Sequence, residues 1–138
     1  MKLIVQKDLD PDPEFYYGVQ FRIYHEPYLI WDRQTWKDVI ATCDTYRIEV
    51  DGTFAGDIIL EQKEKGTDYI VDFSLLPEYQ RKGIGRAILE ELQKTGRKIT
   101  AVTREDTLDF FLKSGFSLKK KMKNYYERGM NGYFVVFS

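Results

Sequence analysis

The sequence is poor in the residues that build disulfides and transition-metal sites. Its 138 residues include one cysteine, Cys43, and one histidine, His25. A lone cysteine excludes an intramolecular disulfide and fits a reducing compartment. A single histidine leaves no His/Cys spacing that could hold a metal ion. We therefore expect a cytoplasmic protein without a metal site.

A dominant charge and a long apolar run are also missing. The 21 basic and 22 acidic residues give a net charge of −1, so no overall basic field favours nucleic acid. No apolar run approaches the length of a membrane span, and residues 1–7 are too short and too quickly charged for a signal peptide. With 43% apolar and 15% aromatic residues, the chain can bury a substantial core. We expect one domain, residues 1–138, with no membrane or nucleic-acid partner.

The stretch 69–95 carries the clearest functional signal. It reads as an apolar strand (69–75), a basic turn and an amphipathic helix in which Ile84, Ile88 and Leu92 repeat every fourth residue. The first N–H groups of a helix have no internal partner, and the helix dipole adds positive charge there. Glycine would let a phosphate approach the backbone closely, and cationic side chains lie beside it. This pattern predicts a pyrophosphate or another phosphate group as ligand.

Two common phosphate-binding motifs do not fit this turn. A dinucleotide fingerprint requires a small residue where Ile88 stands, and a P-loop requires Gly-Lys followed by Ser or Thr. A strand-to-helix turn without a ligand is a further, less favoured interpretation. The remaining pattern, Gln80-Arg81-Lys82-Gly83-Ile84-Gly85, resembles the coenzyme-A-binding motif of the GNAT superfamily of acyl-CoA-dependent N-acetyltransferases.

The order of predicted elements is similar to that of the same superfamily over nearly the whole chain. The pattern predicts strands at 2–6, 46–50, 54–60, 69–75, 98–103, 116–122 and 133–137, and helices at 14–25, 33–42, 84–95 and 104–115. We read 61–68 as a charged loop, 129–132 as a loop, and 103–106 as a capping box. The expected fold is α/β with a mixed sheet: an antiparallel meander, a splayed parallel strand pair, and helices on both faces. Lys113-Ser114-Gly115-Phe116 and Asn124-Tyr125-Tyr126 add shorter similarities.

The resemblance implies transfer of an acetyl group from acetyl-CoA to a primary amine of a small molecule or peptide, by direct attack within a ternary complex. It also implies which residues hold the co-substrate. The edge of the central strand would pair with the pantetheine arm, and the turn would hold the pyrophosphate. These positions are Phe73, Ser74 and Leu75 on the strand, and Gln80, Arg81, Lys82, Gly83, Ile84, Gly85 and Arg86 in the turn.

An amine must lose a proton before it attacks, and a carboxylate is the usual acceptor. Asp72 is the first candidate because it interrupts an otherwise apolar strand; a hydrogen-bonding role within the sheet is an equal alternative. Glu49 is the second, although an alternating strand places polar residues outward by default.

The leaving thiolate raises a separate question. Phe111 stands where many superfamily members carry a tyrosine. Either Tyr125 or Tyr126 substitutes, or the thiolate leaves without an acid, or catalysis is weak or absent. The last case would make the protein a non-catalytic acyl-CoA-binding module or sensor. A nucleotide-binding domain that uses the same anion site is a third hypothesis.

Aromatic residues are dense between Phe15 and Trp36. We interpret most of them as helix packing, and a minority as possible walls of an acceptor pocket. The apolar residues 134–137 could pair at a strand edge, so both a monomer and a homodimer are compatible with the sequence.

Overall fold

A computed structural model describes all residues, Met1–Ser138. The chain forms seven strands, four α-helices and two short 3₁₀ turns at Pro27–Leu29 and Pro77–Tyr79. The strands are β1 (Leu3–Lys7), β2 (Asp44–Val50), β3 (Thr53–Glu64), β4 (Thr67–Leu75), β5 (Lys98–Thr103), β6 (Ser117–Glu127) and β7 (Met130–Phe137). The helices are α1 (Pro13–Ile23), α2 (Arg33–Thr42), α3 (Ile84–Gln93) and α4 (Glu105–Lys113).

The strands form one sheet in the order β1-β2-β3-β4-β5-β7-β6. The pair β4–β5 is parallel, whereas β1–β2, β2–β3, β5–β7 and β6–β7 are antiparallel. A helix links the two parallel strands, as a parallel crossover requires. The predicted mixed α/β fold is therefore confirmed. No helix combines the length and the apolar character that crossing a membrane would need.

The prediction of a charged loop at 61–68 is wrong. β3 continues to Glu64, β4 begins at Thr67, and only Lys65 and Gly66 connect them. Gly66 has a φ of 80°, which a two-residue hairpin turn favours. The charged residues at this end of β3 are exposed strand residues, so their charge marks a solvated strand and not a loop.

Two predicted boundaries in the C-terminal half are also wrong. Thr103 does not open a capping box, because it is the last residue of β5 and pairs with Tyr133; the N-cap of α4 is Arg104, without a side-chain cap. The predicted loop at 129–132 is shorter, since β7 already begins at Met130. The register of β6 shifts between Met122 and Glu127, which places the Asn-Tyr-Tyr segment in an irregular part of the strand.

The chain packs as two compact units, residues 1–61 with 71–85, and residues 62–70 with 86–138. In the first, Tyr16, Trp36 and Ile59 form a buried cluster. The rings of Tyr16 and Trp36 stack with centroids 5.9 Å apart. Tyr17 and Trp31 pack against the same cluster, so the helix-packing interpretation is confirmed for these aromatic residues.

The second unit has its own aromatic and aliphatic core. Phe111 of α4 packs edge-on against Phe116, with ring centroids 5.2 Å apart. Ile88 and Leu89 of α3 are buried, as the four-residue repeat predicted. Arg97 donates two hydrogen bonds to the carboxylate of Asp68, at 2.8 and 2.9 Å. This bidentate pair fixes the turn between α3 and β5 to the start of β4.

Candidate functional site

The turn between β4 and α3 leads directly into the N-terminus of α3. Arg81 has a φ of 60° and Gly83 a φ of 81°, so the chain is left-handed at two positions before the helix starts at Ile84. Alternation of this kind turns successive N–H groups toward one side. Ile84 is 1% exposed and anchors the first turn of α3. The N–H groups of that turn have no acceptor within the helix.

The side chain of Gln80 fixes the loop to the end of β4. Its amide nitrogen donates to the carbonyl oxygen of Leu75 at 2.8 Å, and its backbone N–H donates to Pro77 at 3.2 Å. Gln80 therefore shapes the loop through these two hydrogen bonds. Its predicted contact with the co-substrate stays a prediction.

Three cations surround the loop. Arg81, Lys82 and Arg86 are all exposed. The guanidinium of Arg86 lies 3.3 Å from the carboxylate of Glu90, one turn further along the helix. Arg81 and Lys82 make no ion pair with a protein carboxylate, so their charges are available to an anionic ligand.

The parallel ladder between β4 and β5 is short. It runs from Thr67↔Lys98 to Ile70↔Ala101, although β4 continues to Leu75. Pairing of β4 with β5 therefore ends halfway along β4, as the predicted splay of these two strands requires. Phe73, Ser74 and Leu75 lie in the part of β4 beyond the ladder.

Gly56 of β3 allows a close approach to this part of β4. A Cβ atom at Gly56 would lie 2.0 Å from the carbonyl oxygen of Ser74 and 2.9 Å from the Cα of Leu75. Immediately beyond, the N–H of Leu76 donates to Ala55 at 2.8 Å. The end of β4 is therefore held by β3 at a position where only glycine fits.

Asp72 belongs to a hydrogen-bonded cluster. The hydroxyl of Ser74 lies 3.2 Å from both carboxylate oxygens of Asp72, and 3.0 Å from the hydroxyl of Tyr24 at the end of α1. Asp57 of β3 is close enough to Asp72 for the two carboxyl groups to influence each other's ionisation.

Burial determines the protonation of this carboxyl pair. Asp57 is 2% exposed, and its Oδ2 atom meets no donor from another residue. Burial raises the pKa of Asp57 well above its usual range, and the neighbouring charge of Asp72 raises it further. Burial also raises the pKa of Asp72, against hydrogen bonds from Asp57 and Ser74 that lower it. The pair therefore retains one proton at pH values where isolated carboxyl groups are ionised.

Glu49 lies outside this cluster. Its carboxylate is 3.7 Å from the guanidinium of Arg47 on the same strand, and the Glu49 side chain is about a quarter exposed, at 25%. Glu49 thus forms an ion pair with Arg47 of the kind that is common on protein surfaces. Its predicted catalytic role stays a prediction.

Tyr125 and Tyr126 differ in their surroundings. The hydroxyl of Tyr126 donates to the carbonyl oxygen of Val102 at 3.1 Å, and burial raises the pKa of Tyr126 to about 12. Tyr125 is 45% exposed, and its ring covers Gly132, where an added Cβ would lie 2.8 Å from the ring. Tyr125 is thus the more exposed of the two tyrosines. Tyr126 is more buried, and its hydroxyl is bonded to the backbone, as is typical of a structural residue.

The sequence analysis did not identify two members of the hydrogen-bonded cluster around Asp72, namely Asp57 and Tyr24. Asp57 interrupts the apolar strand that contains Ile58 and Ile59, the same signal that singled out Asp72. Tyr24 had no such signal, since its role depends on a contact with Ser74, fifty positions along the chain. Phe111, at the position of the usual tyrosine, is a buried core residue.

A known sequence family covers this arrangement. The model of the acetyltransferase (GNAT) domain matches residues 41–118, which include the loop before α3, the carboxyl pair and the parallel strands. The chain therefore belongs to the GNAT family of acetyltransferases. It is an acyltransferase, and acetyl-CoA is its co-substrate. No curated protein matches the chain significantly.

Solved structures share the fold over almost the whole chain. The ribosomal-protein-S18-alanine N-acetyltransferase of Escherichia coli is 18% identical with a TM-score of 0.78, over 99% of this chain and 93% of that one. Arabidopsis thaliana Naa50, in complex with the bisubstrate analogue CoA-Ac-MVNAL, is 21% identical with a TM-score of 0.76, over 100% and 99%. A chimera of the spermidine N-acetyltransferase SpeG from Vibrio cholerae and hSSAT is 12% identical with a TM-score of 0.79, over 99% and 95%.

Proposed function

We propose that this acetyltransferase transfers the acetyl group to a primary amine of a small molecule or peptide by direct attack in a ternary complex. The observation that carries the proposal is the left-handed, cationic loop that leads into α3 within a GNAT domain. The similar folds named above acetylate a ribosomal-protein alanine, or carry names that refer to a peptide conjugate and to spermidine. All of these acceptors offer an amine.

The loop and the end of β4 would hold acetyl-CoA. In this proposal the N–H groups and side chains between Arg81 and Arg86 bind the pyrophosphate, with Gly83 and Gly85 allowing close approach. The part of β4 beyond its ladder with β5, at Phe73, Ser74 and Leu75, binds the pantetheine arm through its backbone. A backbone N–H near Leu75 would stabilise the oxyanion that forms on the thioester, a contribution of about 3 kcal/mol.

Asp72 is the proposed proton acceptor, since its carboxylate lies in a hydroxyl network and burial raises its pKa. A base works best when its pKa approaches the working pH. Glu49 remains the second candidate. Tyr125 is the proposed proton donor to the leaving thiolate, and Tyr126 the alternative.

We further propose a single domain over residues 1–138, working in the cytoplasm as a monomer or homodimer, without a membrane or nucleic-acid partner. The lone Cys43 and the net charge of −1 support this view. This part of the proposal does not identify the acceptor amine.

Release of the CoA thiol tests the proposed reaction. Acetyl-CoA is incubated with spermidine, with the peptide MVNAL, or with an alanine-starting peptide. We expect thiol release that depends on an amine, and a decrease of about 10²- to 10⁴-fold in Asp72→Asn. Asp44→Asn is the matched control, because Asp44 is an exposed strand residue paired with Lys7 at 3.2 Å.

Two observations favour a second function, a non-catalytic acyl-CoA-binding module. Phe111 is apolar and buried, and the Tyr126 hydroxyl is bonded to a backbone carbonyl. Acetyl-CoA binding without thiol release for any amine would support the module and contradict acetyl transfer.

A further inference from the structure

Strand β6 bulges away from its partner strand at the place where it carries Tyr125, the proposed proton donor. The ladder between β6 and β7 is interrupted between Met122 and Glu127, where residues 123–126 face only Asn131. We call residues 123–126 the β6 bulge. A bulge bends the strand that contains it and changes the direction in which its side chains point, and bulges are frequent beside active sites.

Two asparagine side chains hold the backbone of the β6 bulge. Asn131 Oδ1 accepts a hydrogen bond from the backbone N–H of Asn124 at 3.0 Å, in the place of a cross-strand carbonyl oxygen. Asn124 Oδ1 accepts in turn from the N–H of Gly129 at 2.7 Å. The φ of Asn124 is 56°, in the left-handed region that asparagine adopts more readily than most residues with a side chain. The two amides therefore stabilise a backbone turn immediately before Tyr125.

The ring of Tyr125 is packed against β7. A Cβ atom added at Gly132 would lie 2.8 Å from Cγ and 2.9 Å from Cβ of Tyr125, and 2.8 Å from Cγ1 of Val102. Gly132 thus leaves the space that Tyr125 occupies. The base of the ring is fixed by this packing, although Tyr125 as a whole is 45% exposed.

We propose that Asn124 and Asn131 are positioning residues for acetyl transfer, since their amides hold the β6 bulge and thereby fix the ring of Tyr125. This inference rests on the proposed function, with Tyr125 as the donor of a proton to the leaving thiolate. Misplacement of a reacting group by about 1 Å can lower a rate by about 10²-fold. Proton transfer from Tyr125 therefore depends on the two amides.

The proton transfer at Tyr125 conserves protons and charge. The neutral amine forms the C–N bond to the thioester carbonyl, and the C–S bond breaks with its electron pair on sulfur. The hydroxyl proton of Tyr125 passes to that sulfur and gives the CoA thiol. The amine nitrogen loses one proton to solvent through the proposed base, Asp72, and solvent returns one proton to the tyrosinate.

Two substitutions at Asn131 test the proposal, in the full-length enzyme with acetyl-CoA and the amine probes named above. Asn131→Leu removes the acceptor oxygen with little change in side-chain size. We expect kcat to fall by about 10²-fold, with an unchanged KM for acetyl-CoA. Asn131→Asp keeps an oxygen that can accept from the N–H of Asn124 and should restore most of the activity. Equal activities of the two variants would overturn the proposal.

Gln93→Met is the matched control for a loss of stability. The side-chain amide of Gln93 donates to the carbonyl oxygen of Ser114 at 2.6 Å, within the same compact unit as Asn131. Each substitution thus removes one hydrogen bond between a side chain and the backbone. We expect both Gln93→Met and Asn131→Leu to lower the urea midpoint, and only Asn131→Leu to lower kcat. An equal decrease in kcat would mean a general loss of stability and would overturn the positioning role.

A double variant shows whether Asn131 acts through Tyr125. Tyr125→Phe already lacks the hydroxyl group whose position Asn131 sets, so the addition of Asn131→Leu should lower kcat no further. Independent effects would multiply to a decrease of about 10⁴-fold. Such a product of the two single effects would overturn the proposal.

A readout without an acceptor separates this inference from the proposed function. The nuclear Overhauser effect between the Hα protons of Gly132 and the ring protons of Tyr125 should be present in the wild type and in Asn131→Asp, and should disappear in Asn131→Leu. An unchanged signal in Asn131→Leu overturns the inference even if the enzyme is active. Absence of thiol release by the wild type, with the signal behaving as expected, overturns acetyl transfer and the catalytic use of Tyr125, but leaves the two amides as the groups that fix the ring.

Discussion

Tyr125 and Tyr126 are neighbours on β6 whose hydroxyl groups have different partners. The proton of Tyr126 is bonded to Val102, and its raised pKa of about 12 keeps the group neutral through the physiological range. A proton held in this way is poorly suited to neutralise a thiolate. Tyr125 is more exposed, and so its hydroxyl is the better candidate for proton transfer.

We predict that the two Tyr→Phe substitutions affect different quantities, stability for Tyr126 and kcat for Tyr125. Tyr126→Phe should lower the free energy of unfolding by about 1 kcal/mol, since the carbonyl of Val102 loses its buried donor, with little change in kcat. Tyr125→Phe should lower kcat by about 10²-fold without loss of stability. Urea denaturation and steady-state kinetics on both variants measure this. A kcat decrease confined to Tyr126→Phe would contradict the assignment.

Individual site residues were predictable from the sequence only where they break a pattern. Asp72 interrupts an apolar strand, and Gly83 precedes an amphipathic helix; both could be singled out without a structure. Asp57 gave the same signal as Asp72 and was overlooked. Tyr24 could not be found, because its contact with Ser74 depends on how α1 packs, which no local pattern encodes.

Among the elements, the end of β4 depends most on a single residue. Gly56 leaves room for the carbonyl of Ser74, which an added Cβ would approach to 2.0 Å. Such a contact is with backbone, so one strand must shift. The position of Phe73, Ser74 and Leu75 therefore depends on the absence of a side chain on the adjacent strand.

We predict that Gly56→Ala destabilises the protein by at least about 1–3 kcal/mol, the usual range for overpacking, and weakens acetyl-CoA binding. Gly18→Ala is the matched control, because Gly18 lies inside α1 with nothing within 4 Å of an added Cβ. It should stabilise the protein by roughly 0.5–1 kcal/mol. Thermal unfolding of the two variants measures the predicted destabilisation by Gly56→Ala and the predicted stabilisation by Gly18→Ala. Equal shifts would contradict the close approach at Gly56.

Periodicity predicted the elements better than their ends. The repeat of Ile84 and Ile88 correctly predicted α3, and α2 was predicted at its observed bounds. Charge was misleading at 61–68, where the strands of a hairpin extend into solvent and carry polar side chains. Thr103 has the sequence signature of a cap, but its pairing with Tyr133 keeps it in β5.

At the scale of the whole molecule, the fold and the class of enzyme followed from one motif in its strand–helix context. The sheet order, the parallel pair and the helix crossover agree with that prediction. The acceptor did not follow, because acceptor recognition depends on side chains from separate segments whose positions are set by packing. The aromatic residues Phe15 and Phe21 remain 40% and 47% exposed and illustrate how little a local pattern says about such a surface.

The proposed function depends on binding of acetyl-CoA by the loop before α3. Calorimetric titration of the wild type, Gly83→Glu and Gly96→Glu with acetyl-CoA measures this binding. Both glycines are exposed with φ near +80° and nothing within 4 Å of an added Cβ, one just before α3 and one beyond its end. The backbone strain is therefore matched, and only Gly83→Glu places a carboxylate at the anion site.

We predict binding by the wild type and by Gly96→Glu, and a loss of affinity of about 100-fold or more for Gly83→Glu. This corresponds to roughly 3 kcal/mol, the contribution of one or two charge-assisted hydrogen bonds to the pyrophosphate. Equal affinities of the two variants, or no binding by the wild type, would contradict the assignment of the loop.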